Sequence, residues 1–167
     1  MAAAEYKEQE ATITHELLHG LGLASSSWAL FRQTDGTPRT ARGSDGWPVV
    51  TSNYACPDGS VGNVWVPSTN TLTIGSSNGE PVVTLVTPRV AAVAKDMFEC
   101  GTVTGARLEN QPTASGACWP SHWEQRDHMG EVMVAVSAHA AALSPLSLAV
   151  LEDSGENNIN TSQVRIT

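Results

Sequence analysis

The chain of 167 residues has few charged side chains, and its lysines and arginines do not cluster. Charged residues make up only 16% of the sequence, and the net charge at pH 7 is -8. A protein that binds nucleic acid or an anionic membrane surface through its charge needs a basic patch. The sequence therefore predicts neither of these partners.

Cysteine is scarce as well. The chain contains only Cys56, Cys100 and Cys118, and no two of them form a CxxC pair. A zinc knuckle built from cysteines is therefore not expected. Because the count is odd, in an oxidising compartment one thiol would be left over or would pair with a cysteine outside this chain.

The chain also lacks the patterns of a leader peptide and of a membrane span. The first ten residues, MAAAEYKEQE, have no apolar stretch of the kind found in signal peptides. Residues 132–151 contain no formally charged side chain, but they are rich in alanine and serine and are interrupted by Pro145. A membrane helix needs about 20 predominantly apolar residues. We expect a buried turn and a buried helix here instead.

The remaining composition, rich in Gly, Ser, Thr, Asn and Pro, is typical of a loop-rich globular protein. A chain of this length can bury the core of one domain. Periodicity and turn residues predict short helices and strands joined by irregular segments. The expected elements are, in chain order, a helix over 5–21, an irregular segment over 24–60, a β-hairpin within 61–87, a helix from Pro88 towards Gly101, a short helix over 145–153 and a polar tail after Gly155.

A HExxH motif at residues 15–19, followed by Gly22, is the most informative pattern in the chain. On a helix, residues four apart lie on one face, so His15 and His19 can bind one metal ion. Glu16, beside the first histidine, can act on a metal-bound water as a general base. A HExxH that arises by chance in an amphipathic helix would instead give two solvated histidines and a surface glutamate.

A catalytic zinc ion needs a third protein ligand in addition to the two histidines. Zinc peptidases whose motif extends to HExxHxxG place a third histidine three residues after the glycine, but that position here is Ser25. A carboxylate ligand from a later helix is disfavoured, since no ExxxD pair follows the motif. The histidines that remain as candidates are His122, His128 and His139.

The sequence neighbours of these three histidines distinguish them. His139 lies in an apolar, alanine-rich stretch, which is typical of a histidine in the core or at its boundary. His128 follows Arg126 and Asp127, which predicts a solvated loop. His122 lies between two tryptophans in WPSHWE. Its apolar surroundings are equally consistent with a metal ligand and with a structural histidine packed against tryptophan.

A series of short motifs runs along most of the chain. They are HELLHGLG at 15–22, FRQTDGTPRT at 31–40, SNYACPDG at 52–59, LVTPRV at 85–90, GARLEN at 105–110, SHWE at 121–124, EVM at 131–133 and LEDSG at 151–155. In content and order they resemble the leishmanolysin family of zinc metalloproteases. The resemblance covers roughly residues 10–155.

The leishmanolysin resemblance implies a third ligand. Members of the family are metzincins in which a long insertion separates the glycine from the third histidine, and by motif this histidine is His122. The resemblance thus implies one zinc ion per chain, bound by His15, His19 and His122, with Glu16 as general base. The methionine turn that lies beneath the metal in metzincins maps onto Met133.

The same resemblance implies an α+β fold of the metzincin type. Residues 1–23 would form the active-site helix of an N-terminal subdomain, residues 24–155 the insertion and a C-terminal subdomain, and residues 156–167 a tail. Only fourteen residues precede His15, whereas family members carry a prodomain and a substrate-binding sheet there. The chain is therefore expected to correspond to the metal-binding middle of a larger protein, with the N-terminal sheet largely missing.

The function that the resemblance implies is hydrolysis of peptide bonds in protein or peptide substrates by a zinc metalloendopeptidase. Family members are secreted or surface-anchored, so an extracellular or cell-surface location is expected for the full-length parent, with no membrane span in this chain. The alternative is a truncated or non-catalytic surface or adhesion module, with a structural zinc site or none. No oligomeric state is predicted.

Overall fold

The computed structural model describes residues 3–110, 117–136 and 141–155. The predictions for His139 and for the polar tail after Gly155 fall outside these residues. Within the described residues, helices and short β-strands alternate with long irregular segments. The architecture is thus a mixed α/β domain, as the sequence predicts.

The first element is α1, the helix Ala3–Gly20, which carries the HExxH motif near its end. Alanine, glutamate and leucine, which favour helices, make up much of its sequence. Beyond the helix, Gly22 adopts a φ of 119°, a conformation that other residues rarely adopt. The amide of Leu23 then donates to the carbonyl of Leu18 at 3.0 Å. The helix predicted through the motif is confirmed.

Two antiparallel sheets follow α1. In the first, β1 (Val50–Ala55) pairs with β2 (Val61–Trp65). In the second, β3 (Leu72–Ser77) pairs with β4 (Glu80–Leu85), and β4 pairs with the two-residue β5 (Ala106–Arg107). The second sheet therefore has the order β3-β4-β5 and contributes buried residues to the core.

The sequence correctly predicted the hairpin of β3 and β4 but did not predict the strand β1. β3 and β4 form the hairpin expected within 61–87, and Asn78 and Gly79 at its turn both have positive φ, as a type I′ turn requires. Segment 24–60, expected to be irregular, contains β1. Most residues of β1 are exposed, so its sequence lacks the alternation of buried and exposed residues that marks a strand.

A close contact between backbones joins β4 to β5. A Cβ atom at Gly105 would clash with the carbonyl group of Leu85, so only glycine fits at this position. Leu85 belongs to the LVTPRV motif and Gly105 to GARLEN. Two motifs that are separate in the sequence therefore meet at one point of the sheet.

Two helices pack against each other: α2 (Pro88–Met97) and α3 (Pro145–Asp153). Each begins with a proline, whose missing amide costs no helical hydrogen bond at that position. At the end of α3, the carboxylate of Asp153 accepts hydrogen bonds from the amides of Arg89 and Val90 at 2.8 and 2.9 Å. A side chain of one helix therefore caps the N-terminus of the other.

One hydrophobic cluster connects these elements to the irregular segment 117–136. As predicted for the described part of 132–151, the turn at Val132–Val134 and most of α3 are buried. Among the residues described, no helix is long and apolar enough to cross a membrane. The largest fully buried side chains include Trp28, Trp123, Phe31, Leu23, Leu85, Leu108, Met133 and Leu146.

Candidate metal centre

Helix α1 brings the first two candidate ligands together. His15 and His19 are one helical turn apart, and the centroids of their rings are separated by 4.6 Å. Leu18 shares their face of the helix and is only 4% exposed, so this face borders the core. Both imidazoles are consequently half-buried rather than solvated on all sides.

His122, which is 103 residues after His19 in the sequence, lies beside both of these histidines. Its Nε2 atom lies 3.2 Å from Nε2 of His15 and 3.2 Å from Nε2 of His19. Within the described part of the chain, these three residues are the only group of His, Cys, Asp or Glu whose ligand atoms lie close enough together, within 4.8 Å, to bind one metal ion. His128 lies outside this group.

The outer nitrogens of two of these rings identify their tautomers. Nδ1 of His15 lies 2.7 Å from the carbonyl oxygen of Val132, and Nδ1 of His19 lies 2.7 Å from that of Leu23. A carbonyl only accepts hydrogen bonds, so each Nδ1 carries a proton and donates it. In the neutral rings, the Nε2 atoms that face the centre therefore carry lone pairs.

This set of donors fits a metal ion. If Nε2 of His122 carried a proton, it could donate a hydrogen bond to the lone pair of His15 or of His19, but not to both at once. A cation at the centre would accept all three lone pairs together. Three imidazole nitrogens are also a ligand set that zinc uses in catalytic sites, where its fourth position stays open. The residues present therefore fit the metal that the HExxH motif implies.

Burial keeps the His122 imidazole neutral. Removal from water, together with the neighbouring His19 and His15, lowers the pKa of His122 to about 4. At neutral pH the ring is therefore unprotonated, which is the form that binds a metal.

Backbone hydrogen bonds hold the SHWE segment in place. The carbonyl of His122 accepts from the amide of Glu109 at 2.8 Å, and the amide of Glu124 donates to the carbonyl of Arg107 at 3.0 Å. Between them, Trp123 is fully buried and anchors the segment in the core. The backbone of residues 107–109 therefore fixes the position of His122 from one side.

The turn that contains Met133 holds the same segment from another side. The amide of Trp123 donates to the carbonyl of Met133 at 2.9 Å. The preceding residue, Val132, supplies the carbonyl that accepts from His15. The Met133 side chain is fully buried in the core cluster. The turn therefore contacts the segments of two of the three histidines through consecutive carbonyl groups.

Glu16 lies at the edge of the centre. Its side chain is exposed, and together with His15, Val134 and Ala135 it lines a cavity of about 210 Å³. A second cavity, of about 330 Å³, borders His122 and is lined mainly by apolar groups such as Trp119. Open space thus adjoins the histidines beside the glutamate and beside His122.

The prediction that His128 lies in a solvated loop was wrong. Its side chain is 4% exposed, and its ring centroid lies 5.6 Å from that of Phe98 and 5.8 Å from that of Trp123. Neither ring nitrogen has a hydrogen-bond partner among the described residues. The polar neighbours in the sequence did not reveal this burial, because Phe98 arrives from the end of α2.

The cysteines divide into one pair and one free thiol. Cys56 and Cys118 form a disulfide, and Cys100 is free and partly buried. The bridge ties the end of β1 to the segment that leads into SHWE. The odd count predicts one cysteine without a partner in this chain, but the sequence does not identify which.

Sequence reasoning missed two carboxylates that organise this region. Glu131 and Asp153 are buried and accept hydrogen bonds from backbone amides at the Met133 turn and at the start of α2. The available signal was their place inside the EVM and LEDSG motifs, since an acidic residue next to buried apolar residues needs partners when the chain folds.

Comparisons with known proteins agree with the motifs. The family model described as leishmanolysin matches residues 2–166. The leishmanolysin-like peptidase of Drosophila pseudoobscura pseudoobscura is 35% identical over 154 residues, which is 91% of this chain and 22% of that protein. The leishmanolysin-like peptidase of Caenorhabditis elegans is 33% identical over 159 residues, which is 90% of this chain and 23% of that protein.

A mouse protein, the ciliated left-right organizer metallopeptidase, is 29% identical over 151 residues, which is 89% of this chain and 18% of that protein. No solved structure matches. The chain spans about a fifth of the length of the curated relatives it matches. Because the family model covers nearly all of the sequence, the chain belongs to the leishmanolysin family of metallopeptidases.

Proposed function

We propose that this chain carries the zinc centre of a metalloendopeptidase that hydrolyses protein or peptide substrates. The observation that carries the proposal is the convergence of three imidazole nitrogens, with Nε2 of His122 3.2 Å from Nε2 of both His15 and His19. Membership of the leishmanolysin family supports it. The activity proposed is that of the longer protein to which such a segment belongs in its relatives.

One zinc ion per chain would be held by His15, His19 and His122. All three are presented as nitrogen donors towards a common point, and three protein ligands leave one position of a tetrahedral site open. Bound there, zinc supplies Lewis acidity, which acidifies water and polarises a substrate carbonyl. The chain's own contribution is to orient the imidazoles of His15 and His19 through the carbonyls of Val132 and Leu23.

Glu16 is proposed as the general base. It follows His15 directly, is exposed, and borders the cavity of about 210 Å³. A carboxylate in this place can take a proton from the attacking water and pass it to the leaving amine. Because it lies outside the group of converging nitrogens, its proposed role is proton transfer rather than metal binding.

Met133 is proposed to pack beneath the ligands and to take no part in the chemistry. The metzincin division of the chain remains a proposal as well: residues 1–23 as the active-site helix, residues 24–155 as the insertion and C-terminal subdomain, and residues 156–167 as a tail. The hydrogen bonds that join the Met133 turn to the His15 side chain and to the Trp123 amide support the part assigned to the turn.

An extracellular or cell-surface location is proposed for the protein that contains this chain. The disulfide between Cys56 and Cys118 supports an oxidising compartment, because such bonds are rare in reducing cytosol. The cavities of about 210 and 330 Å³ that border Glu16 and His122 are proposed to receive parts of the substrate peptide.

The substitution Glu16→Ala tests the proposed base. Without the carboxylate, zinc still binds, because its three nitrogen donors are intact, but proton transfer is lost. We expect equal zinc stoichiometry in the two proteins and a loss of casein cleavage of at least about 100-fold, in line with the usual contribution of a general base. Metal analysis and a cleavage assay on the longer protein that carries this segment and the region before α1, with and without the substitution, provide the measurement.

Two results would count against this function. A Glu16→Ala protein that cleaves casein at the parental rate would refute the assignment of the base. A longer protein that binds zinc through the three histidines of this segment but cleaves nothing would favour the alternative, a non-catalytic surface or adhesion module with a structural zinc site.

A further inference from the structure

We propose that Glu131 is a positioning residue of the metal centre: its buried carboxylate holds the Met133 turn in the conformation that orients His15 and anchors the segment of His122. The proposal rests on the zinc centre proposed above and adds a residue that touches neither the metal nor the substrate.

The Glu131 side chain is 5% exposed and is surrounded by hydrogen-bond donors. One carboxylate oxygen accepts from the hydroxyl groups of Ser147 at 2.6 Å and Ser144 at 2.9 Å, and from the amide of Ser144 at 3.3 Å. The other oxygen accepts from the amide of Met133. The Glu131 side chain therefore connects the start of α3 to the Met133 turn, which lies two residues after Glu131.

These partners suit a charged carboxylate. All of them donate, whereas a protonated acid would have to donate one hydrogen itself. Ser144 is the N-cap of α3, so the carboxylate also lies at the positive end of a helix dipole. Burial raises the pKa of Glu131, and the bonds from Ser147, Met133 and Ser144 oppose this rise. Within the described residues, no ion pair includes Glu131.

The turn held by Glu131 touches the ligand segments at two consecutive residues. The carbonyl of Val132 accepts from Nδ1 of His15 at 2.7 Å. The carbonyl of Met133 accepts from the amide of Trp123, the residue after His122, at 2.9 Å. Rotation of the peptide groups in this turn would remove both acceptors. The Glu131 carboxylate opposes that rotation by holding the amide of Met133.

A second path leads from Glu131 to the same segment. Ser147 donates its hydroxyl to Glu131 and accepts from the indole nitrogen of Trp123 at 2.9 Å. Ser147 and Trp123 are both fully buried, so water cannot replace either bond. The carboxylate is thus connected to the segment of His122 through the backbone and through a side chain.

Asp153 provides a matched control for Glu131. It is also buried, at 6% exposure, and also accepts hydrogen bonds from two backbone amides. Its partners, however, are the amides of Arg89 and Val90 at the start of α2, and among the described residues no hydrogen bond joins either one to a ligand segment. A general loss of stability would follow either substitution, whereas a change at the metal centre is expected only for Glu131.

The test compares Glu131→Gln with Asp153→Asn and the parent. The amide nitrogen of glutamine can only donate, so it cannot accept from every partner of the carboxylate. We expect the zinc dissociation constant of Glu131→Gln, measured on folded protein against a competing chelator, to rise about 10-fold or more, as is usual when the partner that orients a ligand is lost. Asp153→Asn should keep the parental constant while its melting temperature falls.

Two spectroscopic readouts separate positioning from stability. The absorption spectrum of the Co²⁺-loaded protein should change in Glu131→Gln and remain parental in Asp153→Asn. Nitrogen NMR of the metal-free proteins should show His15 as the Nδ1-protonated tautomer in the parent and as a mixture in Glu131→Gln. Neither signal responds to a loss of stability while the protein stays folded.

If Glu131→Gln does not fold, Ser147→Ala takes its place, since it removes one donor and the link to Trp123 but leaves the carboxylate. It should raise the zinc dissociation constant by a smaller factor. Parental affinity together with a parental Co²⁺ spectrum in the folded variant would overturn the role of Glu131 alone. A parent that binds no zinc would overturn the proposed centre and this role together.

Discussion

At the scale of the residue, the protonation of single nitrogens decides what the candidate centre can bind. His15 and His19 each donate Nδ1–H to a carbonyl at 2.7 Å, so their Nε2 atoms face His122 as lone pairs. The carbonyls belong to Val132 and Leu23, which are fixed by the turn of Met133 and by the end of α1. Backbone carbonyls, rather than charged side chains, thus set the tautomer and the orientation of these two rings.

His122→Ala tests the third ligand. Two histidines on one helix supply one protein nitrogen fewer than the three of a catalytic zinc site, so the ion should bind weakly. We expect the zinc content to fall from about one ion per chain to well below it, and the stabilisation by zinc to disappear. Metal analysis and melting curves with and without zinc provide the measurement.

His128→Ala is the control, because it removes a buried imidazole that lies outside the group of converging nitrogens. It should melt at a lower temperature but bind zinc in the parental amount. If zinc binding were lost in His128→Ala and kept in His122→Ala, the assignment of the third ligand would be wrong.

His128 also predicts a dependence of stability on pH. Burial lowers the pKa of His128 and Arg107 acts in the same direction, while Asp127 and Glu124 partly oppose the change. The folded state therefore disfavours the charged ring, so its contribution to stability is complete above the unfolded pKa of about 6.5 and is lost as pH falls below it. Relative to His128→Phe, the parent should lose free energy of unfolding between pH 7 and pH 5.

Denaturant unfolding of the metal-free proteins across this range provides the measurement. One proton limits the difference in slope to about 1.4 kcal/mol per pH unit. Without metal, protons do not compete with zinc for the ligands, and the comparison with His128→Phe cancels the other titrating groups. Parallel profiles for the two proteins would show that His128 is not held neutral.

At the scale of the element, α2 and α3 form one unit because the last residue of α3 caps α2. The amides of Arg89 and Val90 would otherwise be unsatisfied at the start of a helix. Asp153 accepts both within 2.9 Å and is 6% exposed. The LVTPRV and LEDSG motifs are therefore two halves of a single capping interaction.

Asp153→Asn should lower the free energy of unfolding by about 1 kcal/mol, the usual cost of a lost helix cap. Zinc content should not change. Glu152→Gln is the matched control, because the Glu152–Arg89 ion pair has a half-exposed arginine and such pairs contribute little, at most about 1 kcal/mol. Denaturant unfolding measures both, and an equal effect of the two substitutions would contradict the special role of the cap.

At the scale of the whole molecule, the candidate centre joins α1 to the rest of the domain. Ile13 and Leu17 of this helix are each 61% exposed, while Leu18 is buried in the core cluster and Ala11 packs against it. The helix thus has a limited apolar contact with the domain, and His15 and His19 supply its contact with His122. A metal bound by all three would clamp α1 onto the 117–136 segment.

Zinc should therefore stabilise the whole domain. At a free zinc concentration 100 times the dissociation constant, the gain is about 2.7 kcal/mol, provided that zinc binds only the folded state. Melting curves should shift upward with added zinc and return to the metal-free value with a chelator. A melting temperature that does not depend on zinc, in a protein shown to bind it, would mean that α1 is held by other contacts.

The sequence by itself determined what depends on neighbours along the chain. The spacing of His15 and His19 puts both on one face of a helix, Gly22 marks the end of that helix, and the turn at Asn78-Gly79 specifies the β3–β4 hairpin. Each of these follows from the conformational preferences of a few adjacent residues. The short motifs also indicated the leishmanolysin family, and this resemblance implied His122 as the third ligand.

Only the tertiary structure decided which distant groups meet. His122 lies 107 positions from His15, and no local preference specifies where a chain returns after so long a path. The burial of His128 between Phe98 and Trp123, the choice of Cys56 and Cys118 as the disulfide pair, and the bonds of Glu131 arise in the same way. Packing of the core selects these contacts together, because each buried polar group must find a partner or be enclosed by apolar side chains.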